Sequence, residues 1–422
     1  MKSFAINKRN VFYWTLYDFA NSIVVIAFAL YFSQWLVVEH KVADIWYNLT
    51  FVGASILLLL TAPVLARIAD KKQSNMSYLR LMTLLMFIST LGASLLAIFD
   101  GNVSKFVILA TICFLFSNYF YQFCLIFYNT LLNQLAPIKK QGLISGIGYA
   151  GNWLGQFAGV LIALPFAVGT LYWFGHSGRA QTLLPATLLF FALALPMLFL
   201  FKETIPPIKI KISLRDEYKN FIQSFIKILK IPGVGRFLLG FFFFNDAVIT
   251  LETNFAIYLE RVFNVNDQLK SLFLLSVLVG TTLGALLGGI IADKIGLKKS
   301  LKIVLAMTAV TVFLTGIANS FILFLIFSVG FGFFYGASLV ITRTVLNYLA
   351  PTQEINHIYS YYSLIERFAT FVGPVAWGLT ILLLSKYEII SYKVAWLIMT
   401  IFIIFGVIII RKIPSDRSLS KT

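Results

Sequence analysis

The fold is decided by the stretch VFYWTLYDFANSIVVIAFALYFSQWLVV (residues 11–38), an apolar run with polar side chains inside it. The run is long enough to cross a bilayer, which needs about 20 helical residues. Asp18, Asn21 and Ser22 are spaced i, i+3 and i+4, so they share one face of a helix. Burying a carboxylate in hydrocarbon costs about 2.5–3.5 kcal/mol on insertion scales. We therefore expect this face to meet something other than lipid.

The composition is that of a helical membrane protein. Hydrophobic residues make up 59% of the 422 residues and charged residues only 12%, against about 25% charged in a soluble domain. The net charge of +17 is expected when Lys and Arg collect in cytoplasmic loops, so we predict no nucleic-acid partner. The first apolar run exceeds the roughly 7–15 residues of a signal-peptide core, which predicts a retained helix.

The apolar runs predict an all-α integral membrane protein with twelve transmembrane helices in two pseudo-symmetric six-helix bundles. The predicted spans are 12–38, 45–69, 78–99, 106–135, 143–168, 182–201, 236–260, 270–292, 301–318, 321–349, 358–384 and 393–410. They divide the chain into an N-terminal bundle (1–201), a cytoplasmic linker (202–235) and a C-terminal bundle (236–422). Most Lys and Arg residues share a side with the N-terminus, which predicts that both termini are cytoplasmic.

The linker contains the segment SLRDEYKNFIQSFIKILK (213–230), in which apolar residues repeat at helical spacing among lysines. This pattern predicts a basic amphipathic helix on the inner leaflet, with membrane lipid as its partner. Binding to a calmodulin-like protein is the alternative interpretation.

The two halves of the chain carry related segments. NTLLNQLAP (129–137) and RTVLNYLAP (343–351) are identical at six of nine positions. ARIADKK (66–72) is echoed by GGIIADKIGLKK (288–299). Related spans in two halves indicate a duplicated architecture, for which we expect a central site.

The second of these loops resembles the G-x-x-x-D-[RK]-x-G-[RK]-[RK] loop of the major facilitator superfamily. We interpret both copies as a cytoplasmic gate that is made and broken in a two-state cycle. A glycine allows close helix approach, another permits the turn, and the aspartate accepts charge-assisted hydrogen bonds. The alternative is that these loops show only the usual excess of Lys and Arg in cytoplasmic loops. The candidate gate residues are Asp70, Lys71, Gly289, Asp293, Lys294, Gly296 and Lys298.

Two patterns concern helix packing. Gly280, Gly284 and Gly288 form a ladder of small residues that predicts close contact with another helix. Pro374 lies within the eleventh predicted span and predicts a kink or hinge there.

Polar residues recur at membrane depth in spans one, four, five, seven, ten and eleven, and they are nearly absent from spans three, six, nine and twelve. This distribution predicts a water-filled cavity lined by the polar spans. The alternative is that these Asn and Gln residues only form hydrogen bonds between packed helices. The candidate substrate or coupling residues are Asp18, Asn21, Asn129, Asn152, Gln156, Asp246, Glu252, Arg343, Glu366 and Arg367.

The charged candidates allow several roles. Either arginine could neutralise a carboxylate, or could bind the carboxylate or phosphate of a substrate in bidentate fashion. A desolvated carboxylate without a cationic partner would suit a proton carrier. Asp18 and Asp246, on the first span of each half, could equally be structural.

Motifs for soluble chemistry are absent from the sequence. There is no nucleotide-binding G-x-x-x-x-G-K-[ST], no H-E-x-x-H and no Cys/His metal cluster. We predict a non-enzymatic protein without cofactor or metal, acting as a monomer. Work against a gradient would have to draw on protons, another ion or the substrate's own gradient.

Four longer segments resemble one family: YWTLYDFANS (13–22), IFYNTLLNQLAPIKKQGLISGIGYAGNWLG (126–155), FLLGFFFFNDAVIT (237–250) and the region 341–378. They are similar to the autophagy-related vacuolar amino-acid effluxers of fungi and their bacterial relatives. The resemblance implies a major facilitator fold and solute translocation by alternating access, with amino acids as substrates in the fungal members. Compact size and a Lys/Ile/Phe-rich composition look like a bacterial member, hence an inner (plasma) membrane location.

Two other functions remain open at this point. Efflux of a siderophore, drug or other metabolite would suit the aromatic side chains on the presumed cavity faces, namely Tyr121, Phe127, Tyr335 and Tyr362. A receptor or scaffold that keeps the fold would need an extramembrane binding surface, for which only the linker has the size.

Overall fold

The computed structural model describes residues 7–99, 104–136, 138–174, 177–203, 213–349 and 355–413. Within these ranges the chain forms helices joined by turns and loops, without a strand. The helices are α1 (Lys8–Ala27), α2 (Asp44–Lys71), α3 (Asn75–Ile98), α4 (Ser104–Thr130), α5 (Leu132–Leu135), α6 (Ile138–Ala167), α7 (Leu183–Leu200), α8 (Leu214–Leu229), α9 (Val234–Phe263), α10 (Asp267–Ile295), α11 (Leu297–Ile317), α12 (Phe321–Leu349), α13 (Ile355–Phe368), α14 (Val372–Leu383) and α15 (Glu388–Arg411). The π-helical turns Phe28–Phe32 and Trp35–Glu39 extend α1.

Eleven segments of the described chain are long and apolar enough to cross a membrane, and α14 is a shorter apolar helix. The chain is therefore a multi-pass integral membrane protein, as its composition predicts. Two predicted spans are not single helices. The predicted span 106–135 consists of α4, which ends at Thr130, and the short α5, which begins at Leu132. The predicted span 358–384 consists of α13, which ends at Phe368, and α14, which begins at Val372.

The first compact unit comprises the described residues of Met1–Val42 and Gly53–Lys219. In it α1 packs against α6 and α7, and α3 packs against α4. Glycine lets α6 approach α1 closely, since a Cβ on Gly155 would overlap the carbonyl oxygen of Phe19. The result is a first helix enclosed by other helices, with Tyr17 and Leu30 fully buried.

The second compact unit comprises the described residues of Ala43–Val52 and Asn220–Thr422. In it α9 packs against α15, α10 against α12, and α11 against both α12 and α15. Aromatic rings fill part of its core: Tyr258 lies 4.5 Å from Trp396 and 5.2 Å from Phe324 between ring centroids. The beginning of α2 groups with this unit, while the rest of α2 groups with the first.

The predicted glycine ladder is confirmed as a helix contact in the second unit. A Cβ on Gly284 would overlap the carbonyl oxygen of Phe333 in α12, and one on Gly288 would lie 2.8 Å from the Ala337 Cα. The close approach ends there, however. A Cβ on Gly289 would meet Val340 Cγ1 at an ordinary 3.8 Å, so the expectation of close approach at Gly289 is wrong by one residue.

Alanine at these two glycines should therefore have different effects on stability. We expect Gly284→Ala to lower the free energy of unfolding by roughly 1–3 kcal/mol, because the new methyl group must displace backbone. Gly289→Ala is the matched control and should leave stability nearly unchanged. Thermal unfolding of the purified proteins in detergent measures both. Equal melting temperatures for the two variants would contradict the packing described here.

Candidate functional site

The polar face of α1 is buried in the first unit. Asp18 is 8% exposed and Asn21 is 1% exposed. The Asn21 amide donates from Nδ2 to the Tyr17 carbonyl oxygen at 2.8 Å, and the Ser22 hydroxyl donates to the Asp18 carbonyl oxygen at 2.9 Å. Both side chains thus bond to their own helix. The Asn21 Oδ1 atom is buried and accepts no hydrogen bond within the described part of the chain.

The Asp18 carboxylate is bonded by side chains of two other helices. Asn152 in α6 donates from Nδ2 to Asp18 Oδ1 at 3.1 Å, and the Tyr128 hydroxyl of α4 lies 3.4 Å from Oδ2. Gln156, one turn along α6, donates to Asn152 Oδ1 at 2.9 Å. The predicted residues Asp18, Asn152 and Gln156 are therefore brought together in one chain of hydrogen bonds.

Tyr128 is a member of this cluster that sequence reasoning did not select. Its ring is stacked on Trp14, with ring centroids 4.3 Å apart, and the Trp14 indole donates to the Tyr128 carbonyl oxygen at 3.0 Å. Gly148 in α6 leaves the space that the Trp14 ring occupies. The available signal was the triplet FYN (127–129) in the segment 126–155 that carries the family resemblance, since Tyr128 is its central residue. Asn129, the predicted neighbour, is exposed on α4.

The Asp246 carboxylate of α9 has different partners. It is fully buried and accepts the backbone N–H of Phe371 on Oδ1 at 3.1 Å and that of Gly373 on Oδ2 at 2.6 Å. These two residues begin α14, where no side chain of the helix itself provides a cap. A helix start leaves backbone N–H groups unpaired and carries partial positive charge. Asp246 therefore caps α14 from a neighbouring helix.

The break between α13 and α14 follows from local sequence. Pro374 falls in the first turn of α14, where its missing N–H is tolerated. Proline also cannot donate to the carbonyl four residues earlier, and its ring clashes with that group; here the group belongs to Thr370, which lies in the interruption between α13 and α14. The predicted kink at Pro374 is confirmed in the form of this break. Gly373 permits the contact, because a Cβ there would overlap Thr250 Oγ1 and lie 3.2 Å from Asp246 Oδ1.

The remaining candidates of the second unit do not join Asp246 in the contacts described. Glu252 is exposed on α9, and Glu366 and Arg343 are partly buried. Asn245 donates to the Glu366 carbonyl oxygen at 3.2 Å, which is a contact to backbone rather than to the carboxylate. The side chain of Arg367 lies outside the described residues.

A buried polar pair in the second unit was missed from the sequence. Asn48 and Asn254 each donate to the other's Oδ1, at 3.0 and 2.9 Å, and both are fully buried. Nearby in sequence, Asp44 accepts the Tyr392 hydroxyl at 2.9–3.0 Å. The second predicted span was not counted among the polar ones, although Asp44 and Asn48 lie on one helical face.

The gate candidates have local partners. Asp70 accepts from Asn75 Nδ2 at 2.9 Å across the loop between α2 and α3, and Lys71 forms an ion pair with Glu217 of α8. Gly296 has φ +88°, as its predicted turn requires. Lys298 donates to the Ile413 carbonyl oxygen at 2.6 Å. Lys294 is exposed, and the side chain of Asp293 is not among the described ones.

Glu203, after α7, caps another helix in the first unit. Its Oε1 accepts the Met76 N–H near the start of α3 at 3.2 Å. Burial raises the pKa of Glu203, and the hydrogen bond from Met76 acts in the opposite direction. This contact joins the start of α3 to the segment that follows α7.

The fold is the major facilitator fold. A family model described as the Major Facilitator Superfamily matches residues 237–422. The chain is 21% identical over 425 residues to YxiO of Bacillus subtilis (strain 168), an uncharacterized MFS-type transporter, covering 96% of this chain and 95% of the relative.

Solved structures agree on the fold. The nucleoside transporter NupG has a TM-score of 0.73 at 12% identity, covering 95% of this chain and 98% of that one. A bacterial homologue of the human lysosomal transporter Spinster, in an inward-facing unoccupied conformation, has a TM-score of 0.69 at 15% identity, covering 96% of both chains. A D-xylose-proton symporter has a TM-score of 0.67 at 14% identity, covering 94% and 97%. Membership of the superfamily itself, as well as of the narrower effluxer family, stays a prediction.

Removing the acceptor that caps α14 should destabilise the protein. We expect Asp246→Ala to lower the free energy of unfolding by about 1–3 kcal/mol, because the N–H groups of Phe371 and Gly373 lose a buried partner. Asp246→Asn keeps one acceptor oxygen and should lose less. Glu252→Ala removes an exposed carboxylate from the same helix and serves as control. Thermal unfolding in detergent compares the three variants, and an Asp246→Ala protein as stable as Glu252→Ala would contradict the capping role.

Proposed function

We propose that this protein is a secondary transporter that moves a small solute across the membrane by alternating access. The observation that carries the proposal is the pair of buried carboxylates, Asp18 on the first helix of the chain and Asp246 on the first spanning helix after the linker. Ionisable groups at membrane depth are expensive and are typically functional. The fold supports the same conclusion, since its solved examples named above are transporters.

The two carboxylates suit different roles. Asp246 bonds to backbone N–H groups, so its loss would disturb the start of α14. Asp18 bonds to the side chains of Asn152 and Tyr128, which can exchange partners without breaking a helix. We infer that the cluster of Asp18, Asn152 and Gln156 contacts solute, and that Asp246 braces α14.

The chemistry of the Asp18 cluster supports a polar solute that donates hydrogen bonds. The carboxylate would attract an ammonium or hydroxyl group. The buried Asn21 Oδ1, which accepts no hydrogen bond in the described ranges, has capacity for a further donor. An amino acid meets both requirements, and the resemblance to vacuolar effluxers points to the same class. We therefore propose an amino acid as the first substrate to test.

Efflux of a siderophore, drug or other metabolite is less well supported. Two of the four aromatic residues assigned to cavity faces are packed in helix contacts. Phe127 is fully buried and stacked on Phe123 at 5.8 Å, and Tyr362 is 2% exposed with its ring 4.6 Å from Phe241. A receptor or scaffold role has no observation in its favour.

The proposal has five further parts. The protein couples transport to protons, has a cytoplasmic gate at the two loop motifs, and has both termini in the cytoplasm. It acts as a monomer and lies in a bacterial inner membrane. Proton coupling is supported by the burial of the Asp18 and Asp246 carboxylates on membrane-spanning helices. The gate is supported by the Lys71–Glu217 ion pair and by the turn at Gly296. The orientation is supported by the distribution of Lys and Arg.

Neutralising Asp18 should impair transport more than it impairs folding. Purified protein is first screened by thermal shift against amino acids, nucleosides and sugars, and the stabilising solute is then used in proteoliposomes. We expect Asp18→Asn to reduce the initial uptake rate at least about tenfold, as the loss of one charge-assisted hydrogen bond implies, with melting temperature near that of the wild type. The control is Asp216→Asn, which makes the same change on the exposed face of α8. Wild-type uptake by Asp18→Asn would remove Asp18 from the mechanism.

If a proton moves with the solute, an imposed pH gradient should change transport. We expect uptake into proteoliposomes to respond to the gradient and the response to vanish when a protonophore collapses it. The Asp18→Asn protein should exchange solute without the response. Uptake by wild-type protein that ignores the gradient would exclude proton coupling while leaving solute transport in place.

A further inference from the structure

We propose that α8, the linker helix, carries a binding surface for anionic lipids of the cytoplasmic leaflet. The surface consists of an apolar stripe, Ile222, Ile226 and Leu229, and of the basic residues beside it, Arg215, Lys219 and Lys230. Lipid binding at this surface does not depend on which solute the protein transports.

One face of α8 is docked on protein. Glu217 is 3% exposed and pairs with Arg67 Nε at 3.1 Å and with the Lys71 ammonium at the end of α2. Further along the helix, the rings of Phe221 and Phe225 lie 5.3 and 5.4 Å from that of Tyr361, whose hydroxyl donates to the Phe221 carbonyl oxygen at 3.2 Å. These contacts fix the rotation of α8 about its axis.

A second apolar face is left uncovered by that rotation. Ile222 is 51% exposed, Ile226 is 46% exposed and Leu229 is 40% exposed. Their spacing of i, i+4 and i+7 places them in a single stripe along the helix. The apolar surface of α8 therefore extends beyond Phe221 and Phe225, the residues that contact Tyr361. A stripe of this kind in water is unfavourable, and an amphipathic helix in the membrane interface buries it among the acyl chains.

The charges beside the stripe indicate which surface covers it. On a helical wheel, Arg215 falls between Ile222 and Ile226, and Lys219 and Lys230 follow on one side, with the exposed Asp216 about 40° further round the helix. All three basic side chains are exposed. The charge of Glu217 is taken up by Arg67 and Lys71 on the docked face, so it does not oppose them. A stripe bordered by cations is complementary to a bilayer with anionic headgroups.

The position of α8 along the chain agrees with this assignment. Glu217 binds at the last turn of α2, which is a membrane-spanning helix, and only residues 230–233 separate α8 from the spanning helix α9. Both anchor points are ends of membrane spans on the side that the basic residues assign to the cytoplasm. The helix is therefore tethered at the level of the headgroups.

A depth measurement on the full-length protein tests the proposal. Cys113 and Cys124 are replaced by alanine, Ile226→Cys is labelled with a nitroxide, and the protein is reconstituted into vesicles of phosphatidylcholine with or without phosphatidylglycerol. We expect the label to become several-fold more accessible to oxygen relative to a water-soluble nickel chelate when the anionic lipid is present. High salt should reduce the effect, because it screens exposed charges.

Charge reversal identifies the source of the shielding. Lys219→Glu with Lys230→Glu should abolish the dependence on phosphatidylglycerol, since each cation near an anionic surface contributes about fivefold to binding. Lys302→Glu reverses an exposed lysine on α11 and should preserve the dependence. A label that is equally accessible to water in both vesicles would overturn the proposal. So would a label shielded equally in both vesicles, because anionic headgroups would then play no part in covering the stripe.

Discussion

The structure depends on one constraint, which is that a backbone N–H group at membrane depth must find an acceptor within the protein. Where a helix is interrupted in hydrocarbon, no water replaces the missing intrahelical bonds. The break between α13 and α14 is viable because Asp246 accepts the N–H groups of Phe371 and Gly373. The carboxylate benefits in turn, since the helix start offers it partial positive charge. The helix start therefore stabilises the buried carboxylate, and the carboxylate pairs the N–H groups that the interrupted helix leaves without intrahelical partners.

The two halves of the chain use the same type of residue for different purposes. Asp18 and Asp246 each lie on the first spanning helix of their half, and each bonds to the fifth span of that half. In the first unit the donor is the side chain of Asn152 on an unbroken α6, whereas in the second unit the donors are backbone groups at a helix start. The duplicated architecture has thus diverged at equivalent positions. A polar network of side chains can rearrange, while a capped helix start is comparatively fixed.

The fold could be predicted further from the sequence than the site could. Apolar runs define the spans because every bilayer-crossing helix needs a similar length. Polar residues at membrane depth selected Asp18, Asn152 and Gln156 as candidates, and the structure joins these three by hydrogen bonds. Tyr128 was missed since its contact depends on how Trp14 packs against α6, which one-dimensional spacing does not contain. The cap on α14 was missed because its donors are backbone groups, which leave no signature in side-chain patterns. The prediction of close helix contact from the small-residue ladder was correct. The sequence does not show, however, that a Cβ atom has no room at Gly288 and has room at Gly289, because this depends on how α10 packs against α12.

The Asn48–Asn254 pair has an evolutionary consequence. Each amide both donates to and accepts from the other in a fully buried position. Replacing one partner leaves the other with unmet hydrogen-bonding groups, whereas replacing both by apolar side chains of similar size is nearly neutral. These two positions, 206 residues apart, are therefore bound to change together: descendants of this sequence keep both asparagines or lose both.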